Sequence, residues 1–233
     1  MITIRQAADR GHVNFGWLDS HHTFSFGEFH DPRQMGFGPI RVINDDRVSP
    51  GQGFGAHPHR DMEIVTYVLE GAVEHKDNTG SHGVITHGVV QRMSAGTGVV
   101  HSEFNGSKTE PVHFLQIWIV PAARGVKPRY EDRAFAAEGR RNQWQLIISP
   151  DGADGSLDVH QDARMYATEL AAGQSLARAL APGRNAWVQI ASGSVTLNGQ
   201  TLVAGDGAAV TDESALTIAA TEAAEVLLFD VAI

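Results

Sequence analysis

Short runs of apolar and β-branched residues recur along most of the chain, separated by glycine, asparagine, aspartate and proline. Strands are predicted at residues 64–69, 84–86, 112–120, 145–148, 186–190, 194–197 and 225–229. Helical periodicity is weak, and only residues 131–139 suggest a short helix. Many short strands joined by tight turns are typical of a β-sandwich, barrel or jelly roll, so an all-β fold is predicted.

One strand–turn–strand pattern occurs twice along the chain. Residues 69–73 and 191–195 each place a glycine turn between two strand-forming runs. The second copy then turns at Asn198-Gly199, a dipeptide typical of tight hairpins. We therefore predict two copies of one β-barrel unit, with a first domain at residues 1–125 and a second at residues 126–233.

The charge balance argues against several classes of partner. Eighteen basic and 27 acidic residues give a formal net charge of −9, and no run of basic residues is longer than two. Nucleic-acid binders usually carry a basic stripe, so no nucleic-acid partner is predicted. The absence of cysteine excludes disulfides, thiolate metal sites and cysteine nucleophiles.

Membrane insertion and export are also not predicted. No apolar run approaches the ~20 residues that a membrane-spanning helix needs. The first ten residues include Arg5, Asp9 and Arg10 in place of the apolar core of a signal peptide. A soluble cytoplasmic protein is the expectation.

Histidine is concentrated in the first half, where 11 of the 12 histidines lie within residues 12–113. Two motifs stand out there, His57-Pro-His59 and His101-Ser-Glu103. Because strand side chains alternate between faces, each motif would direct both of its polar side chains to one face. If the two strands are neighbours, three imidazoles and one carboxylate converge in a donor set that suits a divalent first-row metal. Surface or core histidines without a ligand are the alternative.

These motifs resemble those of the cupin superfamily, and in detail they resemble its pirin branch. Pirins carry H-P-H-x-D-M-E and S-A-G-T-G-x-x-H-S-E, as do residues 57–63 and 94–103. Ser94 stands where the general cupin motif has proline. Further pirin-like segments lie at residues 16–20, 23–26, 31–32, 35–37, 41–45 and 225–230. The resemblance covers nearly the whole chain and is closest to bacterial pirin-like quercetin 2,3-dioxygenases.

The resemblance implies a bicupin, with two jelly-roll-like barrels in one chain. It implies one divalent transition metal in the first barrel, held by His57, His59, His101 and Glu103, and a second barrel without metal. Iron is the predicted metal, and Mn, Co, Ni, Cu or Zn suit the same donors. The implied activity is that of a dioxygenase that opens the central ring of a flavonol such as quercetin with O2 and releases carbon monoxide. Glu103 is then expected to act as general base as well as ligand.

A second carboxylate, Glu63, occupies the ligand position of the general cupin motif. Four residues of straight strand between His59 and Glu63 would span ~13 Å at ~3.3 Å per residue. Glu63 can therefore bind the same metal only if the chain turns between them, whereas Glu103 shares a face with His101. We also expect His113, Gln116 and Asn105 to contact the ligands.

Two other functions, and a purely structural role for the β-fold, compete with catalysis by a dioxygenase. The resemblance to animal pirins suggests a metal-binding regulatory module that binds a protein partner without catalysis. Residues 57–61 also match the start of a metallohydrolase signature, H-x-H-x-D. That signature continues with histidine, where this chain has Met62, and it belongs to helix-rich folds.

Aromatic residues are frequent in residues 12–40, among them Phe15, Phe24, Phe26 and Phe37. One interpretation is a strand pair that packs against the barrel, since aromatics commonly fill cores. The other is a segment that rims a pocket for an aromatic ligand. The sequence does not separate the two.

Overall fold

The first barrel consists of two facing antiparallel sheets in the computed structural model, which describes residues 1–232. The seven-stranded sheet contains, in spatial order, β12 (Arg129–Ala134), β9 (Val89–Ser94), β6 (Glu63–Glu70), β11 (Val112–Ile119), β4 (Ile40–Val48), β3 (Leu18–His22) and β2 (Gly11–Asn14). The four-stranded sheet contains β5 (Gly53–His59), β10 (Val99–Asn105), β7 (Ala72–Asp77) and β8 (His82–Thr86).

The second barrel repeats this arrangement with seven and four strands, which are antiparallel apart from one edge pair. Its larger sheet contains β1 (Ile2–Arg5), β20 (Gly207–Val210), β17 (Arg184–Ser192), β22 (Ala224–Ala232), β15 (Ala163–Leu170), β13 (Gln145–Ser149) and β14 (Leu157–Asp158). Its smaller sheet contains β16 (Ser175–Ala179), β21 (Ala215–Ala220), β18 (Ser194–Leu197) and β19 (Gln200–Val203). Among the described residues no ladder joins the large and small sheets, so each barrel is an unclosed jelly roll. The predicted all-β bicupin fold is confirmed.

Two edge strands cross between the halves of the chain. β1 lies in the second barrel, where Ile2 pairs with Val210. β12 follows residue 125 and lies in the first barrel, where Arg129 pairs with Ser94. The two strands hold equivalent edge positions in their sheets. The domain boundary between residues 125 and 126 stays a prediction, and strands cross it in both directions.

The predicted strands coincide with observed ones, but the predicted helix is wrong over its first half. Residues 131–134 belong to β12, and the only α-helical turn within residues 1–232 is α1 (Ala137–Arg140). Pairing of this segment with β9 overrides its weak helical pattern. Two short 3-10 turns occur at Ala7–Asp9 and Ala153–Gly155. No helix in the described part of the chain is long and apolar enough to span a membrane.

The largest apolar core lies between the two barrels rather than inside either of them. Leu115 and Ile117 on β11 join this core from the first barrel, and Leu227 and Phe229 on β22 join it from the second. Because strand side chains alternate, the residues between them face the barrel interiors. The interior of the second barrel is filled by apolar side chains. The interior of the first barrel instead contains polar side chains and cavities.

Candidate metal centre

The fold brings the three motif histidines together. His57 and His59 lie on β5, which is the edge strand of its sheet and so tolerates the proline between them. On the neighbouring β10, His101 lies opposite His57. The His101 ring centroid is 4.4 Å from that of His57 and 4.8 Å from that of His59. One ring nitrogen from each histidine lies within 4.8 Å of one from each of the others.

Glu103 follows His101 on the same face of β10. The ladder between β10 and β5 shifts register between these two residues. Gly53 permits the close approach there, because a Cβ on it would lie 2.3 Å from the carbonyl oxygen of Glu103. A carboxylate oxygen of Glu103 lies within 4.8 Å of ring nitrogens of His101 and His75. Glu103 thus belongs to an overlapping group that shares His101 with the three-histidine cluster.

The Glu103 carboxylate is held by three donors from the facing sheet. Thr66 Oγ1 and Gln91 Nε2 donate to Oε1, each at 3.1 Å, and Gln116 Nε2 donates to Oε2 at 2.6 Å. Glu103 is 3% exposed. A buried carboxylate is costly unless it is hydrogen-bonded, so these contacts fix its position and stabilise it. Each carboxylate oxygen has two lone pairs, so the group keeps acceptor capacity for a cation.

Hydrogen bonds also fix which nitrogen of His57 faces the cluster. His57 Nδ1 donates to the backbone carbonyl of Gly55 at 2.7 Å. Its proton is therefore on Nδ1, and Nε2 carries the free lone pair. A metal-bound histidine typically has its other nitrogen fixed in this way.

A longer chain of contacts orients His101. The Nδ1 atoms of His101 and His75 lie 3.3 Å apart, and His75 Nε2 lies 3.1 Å from Asp77 Oδ2. The pKa of Asp77 is lowered because hydrogen bonds from Thr79 and His75 outweigh the opposing effect of burial. The ionised carboxylate only accepts, so His75 donates from Nε2 and accepts at Nδ1 from His101. His101 Nε2 is then left with a lone pair, and it is buried without a partner.

The cluster fits a divalent cation. Burial, with smaller contributions from the neighbouring imidazoles, lowers the pKa of His59 to about 4 and that of His101 to about 3. Both rings are therefore neutral near pH 7, which is the form that binds metal. An unpaired buried nitrogen beside two further imidazoles and a fixed carboxylate is the donor set expected for a first-row metal.

A cavity of about 240 Å³, here called the histidine cavity, opens beside this cluster. It is lined by Phe26, Asn44, Asp46, Phe54, His57, His59, Glu103, Gln116 and Trp118. The Trp118 ring lies edge-on to His59 at 4.9 Å and to Phe26 at 5.3 Å. The cavity therefore combines an aromatic wall with the polar cluster.

Glu63 lies outside this cavity. The chain does turn after β5, where Asp61 has a φ of 48°, but it enters the opposite sheet as β6. Glu63 accepts a hydrogen bond from Ser94 Oγ at 2.7 Å, and its other oxygen lies 3.0 Å from His160 Nδ1 in the second half of the chain. Thr66 lies three residues further along β6, on the face opposite to that of Glu63. It is Thr66 that donates a hydrogen bond to Glu103.

Of the three residues expected to contact the ligands, only Gln116 contacts Glu103. His113 instead lies 2.6 Å from Asp45, and Asn105 donates to backbone carbonyls that close a loop.

Sequence reasoning missed four supporting residues, namely Thr66, Gln91, His75 and Asp77. The same alternation that identified His101 and Glu103 applies to His75 and Asp77, which are also two residues apart. Thr66 interrupts the apolar run of β6, whereas Gln91 is one of three polar residues in β9, with Arg92 and Ser94. Only the position of Thr66 was an available signal.

Both interpretations of the aromatic segment apply, to different residues. Phe24 and Phe37 pack against Trp187 of the second barrel, with ring centroids 4.9 and 5.6 Å apart. Phe15 and Phe26 line cavities in the first barrel. An aromatic ligand in those cavities stays a prediction.

Comparison with known proteins agrees with the predicted resemblance. The family model of Pirin matches residues 3–119, and that of the quercetinase C-terminal cupin domain matches residues 146–231. The chain is 52% identical over 231 residues to quercetin 2,3-dioxygenase of Escherichia coli K12, covering 99% of this chain and 98% of the relative. It is 46% identical to a putative quercetin 2,3-dioxygenase of Pseudomonas aeruginosa, covering 98% and 99%.

The fold also matches a solved pirin. The crystal structure of the bacterial pirin YhhW from Escherichia coli, in complex with nickel(II), superposes with a TM-score of 0.95 at 51% identity. The match covers all of this chain and 99% of that chain. With matches of this extent in both sequence and structure, the chain belongs to the pirin family.

Proposed function

We infer that this protein is a metal-dependent dioxygenase that opens the central ring of a flavonol such as quercetin with O2 and releases carbon monoxide. The observation that carries the proposal is the histidine cavity, where His57, His59 and Glu103 lie beside aromatic walls and His101 completes the cluster behind them. Half of the residues are identical, over the whole length, to those of a protein named quercetin 2,3-dioxygenase. That extent of identity supports the same reaction class.

His57, His59, His101 and Glu103 would hold one divalent cation. A relative solved in complex with nickel(II) supports metal binding by this chain, and iron stays our predicted ion. When bound, the cation supplies Lewis acidity, which makes a hydroxyl group placed against it more acidic.

Glu103 would take the proton of the flavonol 3-hydroxyl. Its carboxylate faces the cavity and is held in place by Thr66, Gln91 and Gln116, so it is positioned before the substrate arrives. Loss of that proton leaves an electron-rich flavonolate, which is the form that can react with O2. A fixed base costs little reorganisation during proton transfer.

The aromatic walls would orient the flat substrate. Phe26, Phe54 and Trp118 line the histidine cavity together with the cluster. Stacked or edge-on contacts with these rings favour a planar aromatic ligand. They also keep water away from the electron-rich substrate, which limits competing protonation.

The test combines metal analysis with turnover. Purified protein is analysed for metal, then incubated with quercetin under air or under nitrogen, with detection of carbon monoxide. We expect one divalent cation per chain and consumption of many equivalents of flavonol only in air. Chelation should remove the metal and abolish turnover, and addition of metal should restore both. Metal-replete protein that leaves several flavonols unchanged would refute the enzyme and favour the regulatory module.

A further inference from the structure

A second cavity, here called the side cavity, adjoins the histidine cavity. Its volume is about 210 Å³, and it shares the wall residues Phe26, Asn44, Asp46 and Phe54 with the histidine cavity. Leu18 is among the apolar side chains that line the remainder. The two cavities are therefore neighbouring lobes that meet at a common wall. Of the two, only the histidine cavity is lined by His57 and His59.

Four polar side chains form a block on the inner face of two neighbouring strands. Ser20 and His22 lie on β3, and Asp46 and Asn44 lie directly opposite them on β4. All four line the side cavity, and none is more than 4% exposed. Inner-face positions of a barrel are normally apolar, so a polar block there needs a reason.

The hydrogen-bonding capacity of this block is not used up by the protein. Within residues 1–232, His22 Nδ1 and Asn44 Oδ1 are buried without a partner. Asp46 accepts one hydrogen bond from Ser20 Oγ, at its Oδ1 atom. Burial raises the pKa of Asp46 to about 7, against that hydrogen bond, so its carboxyl group can donate as well as accept near neutral pH. Unpaired buried polar groups cost stability, and the cost is recovered when a ligand pairs with them.

The corresponding position of the second barrel contains no such block. β13 and β15 occupy the places of β3 and β4 in its sheet. There, Leu146 lies opposite Tyr166, and both pack into the apolar interior. The polar block is therefore not required by the barrel architecture.

We propose that the side cavity binds a hydroxylated phenyl ring of the substrate, and that Asn44 and Asp46 recognise its hydroxyl groups. Phe26, Phe54 and Leu18 supply the apolar contacts for such a ring. Two adjacent hydroxyl groups, as in a catechol, can donate to Asn44 Oδ1 and to the Asp46 carboxyl group. The proposal rests on the proposed function, because it places the other end of the flavonol against the histidine cluster.

Three ligands separate the contributions of the two lobes. 3-Hydroxychromone lacks the phenyl ring, 3-hydroxyflavone carries an unsubstituted ring, and 3,3′,4′-trihydroxyflavone carries a catechol. Their dissociation constants are measured without O2 on metal-loaded protein, so that binding is read without turnover. We expect affinity to rise along this series, with the catechol binding about tenfold more tightly than the unsubstituted ring.

Two near-isosteric variants test the recognition residues. Asn44→Leu and Asp46→Asn are each expected to reduce the preference for the catechol from about tenfold to about threefold or less. Binding of 3-hydroxychromone should change by a smaller factor than binding of the catechol in both, because Asn44 and Asp46 belong to the wall shared by the two cavities. Asp19→Asn, on the other face of β3, is the matched control and should retain the preference. Thermal unfolding and metal content of each variant establish that the fold and the cluster are intact.

The outcomes distinguish this inference from the proposed function. Equal affinities for 3-hydroxyflavone and the catechol, in parent and variants alike, would overturn the inference and leave the proposed function standing. Failure of the metal-loaded parent to bind any of the three ligands would overturn both. If either variant fails to fold, Val13→Trp provides an independent test. This substitution at the side cavity should weaken both flavones at least tenfold while sparing 3-hydroxychromone, and equal effects on all three would contradict the proposal.

Discussion

The two barrels have the same strand order, but the interior around β10 of the first is polar, whereas the interior of the second is apolar. On β10 of the first barrel, Glu103 pairs with His75 on β7. On β21 of the second barrel, Ile218 pairs with Leu197 on β18. These four residues hold equivalent places, since β7 and β18 each begin directly after a glycine turn. A carboxylate beside an imidazole in one barrel thus corresponds to two fully buried aliphatic side chains in the other.

The comparison shows that the strand order of this fold does not determine the polarity of the side chains inside the barrel. His101 precedes Glu103 by two residues, and Leu216 precedes Ile218 by two, so the proposed metal-binding face of β10 is an apolar face on β21. Stability does not require the polar set, because the second barrel lacks it. The apolar core shared between the large sheets supports both barrels, so the first can carry buried polar groups that would weaken an isolated domain.

The most severe test converts the first barrel into a copy of the second. The double variant His75→Leu and His101→Leu installs the residues found at positions 197 and 216. We expect metal content and turnover to fall to background, because one imidazole ligand and its orienting partner are gone. The free energy of unfolding of the metal-free protein should fall by about 1 kcal/mol, since the buried Asp77 carboxylate loses its donor and this loss outweighs the removal of the unpaired His101 nitrogen.

Elemental analysis and urea denaturation measure these two effects. Ile218→Val in the second barrel is the matched control, expected to cost about 1 kcal/mol and to leave metal content unchanged. Retention of a stoichiometric metal by the double variant would contradict the assignment of His101.

The two candidate carboxylates give the next largest effect. Glu103→Gln should abolish flavonol turnover and weaken metal retention, because it removes both a charged ligand and the base. Glu63→Gln should keep the metal and reduce the rate less, since Glu63 contacts Ser94 and His160 rather than the cluster. Metal content and initial rates of both variants decide the matter. The reverse order would transfer the ligand role to Glu63.

A smaller effect is expected from the residue that orients His101. His75→Phe keeps the stacking with Tyr130, whose ring lies 4.4 Å away, but cannot accept from His101 Nδ1. Metal affinity should fall about 10- to 100-fold, as is typical when the partner of a histidine ligand is lost. Competition with a chromophoric chelator measures this directly, without an activity assay. His82→Asn on the neighbouring β8, where the side chain is exposed, should leave the affinity unchanged.

The smallest expected effect concerns the contact between the barrels. His87 lies 3.2 Å from Glu225 Oε1, and this hydrogen bond raises the pKa of His87 above its usual 6.5, against partial burial. A pKa raised by folding adds stability that is complete below the unfolded pKa and is lost as pH rises through the folded pKa. His87→Gln should therefore lower the free energy of unfolding at about pH 5.5 and have little effect at about pH 9.

The size of this effect is limited to about 0.5 kcal/mol, because the His87 side chain is 39% exposed and solvent screens the pair. Urea denaturation at the two pH values provides the measurement. A larger loss at the higher pH would contradict the sign of the linkage.

Much of the architecture could be predicted from the sequence because it depends on local alternation. The strands, the two-barrel repeat and the shared face within each histidine motif follow from residue spacing of that kind. The convergence of the two motifs required in addition that their strands be neighbours. The exchange of β1 and β12 could not be predicted, since edge pairing depends on which sheet lies nearby in three dimensions. The segment 131–134 was expected to be helical for the same reason.

Supporting residues were harder to identify than the ligands. Thr66 interrupts an apolar run and Gln91 stands beside Arg92, and nothing in their own sequence indicates that both reach Glu103. Asn44 and Asp46 are two residues apart, like the proposed ligands. Carboxylates and amides are common on protein surfaces, however, so this spacing alone does not indicate an interior position. Only the register of β3 and β4 reveals that they face an interior cavity.

The exchanged edge strand also imposes an order of events on biosynthesis. β1 is translated before the rest of its barrel, and its partner β20 lies about 200 residues later. At about 5–20 residues per second, the ribosome needs about 10–40 s to supply that partner. During this interval the first barrel, including β12, can assemble. β1 meanwhile remains an unpaired strand that can pair with other chains. All strand pairings of the nascent chain can therefore form only when the second barrel assembles.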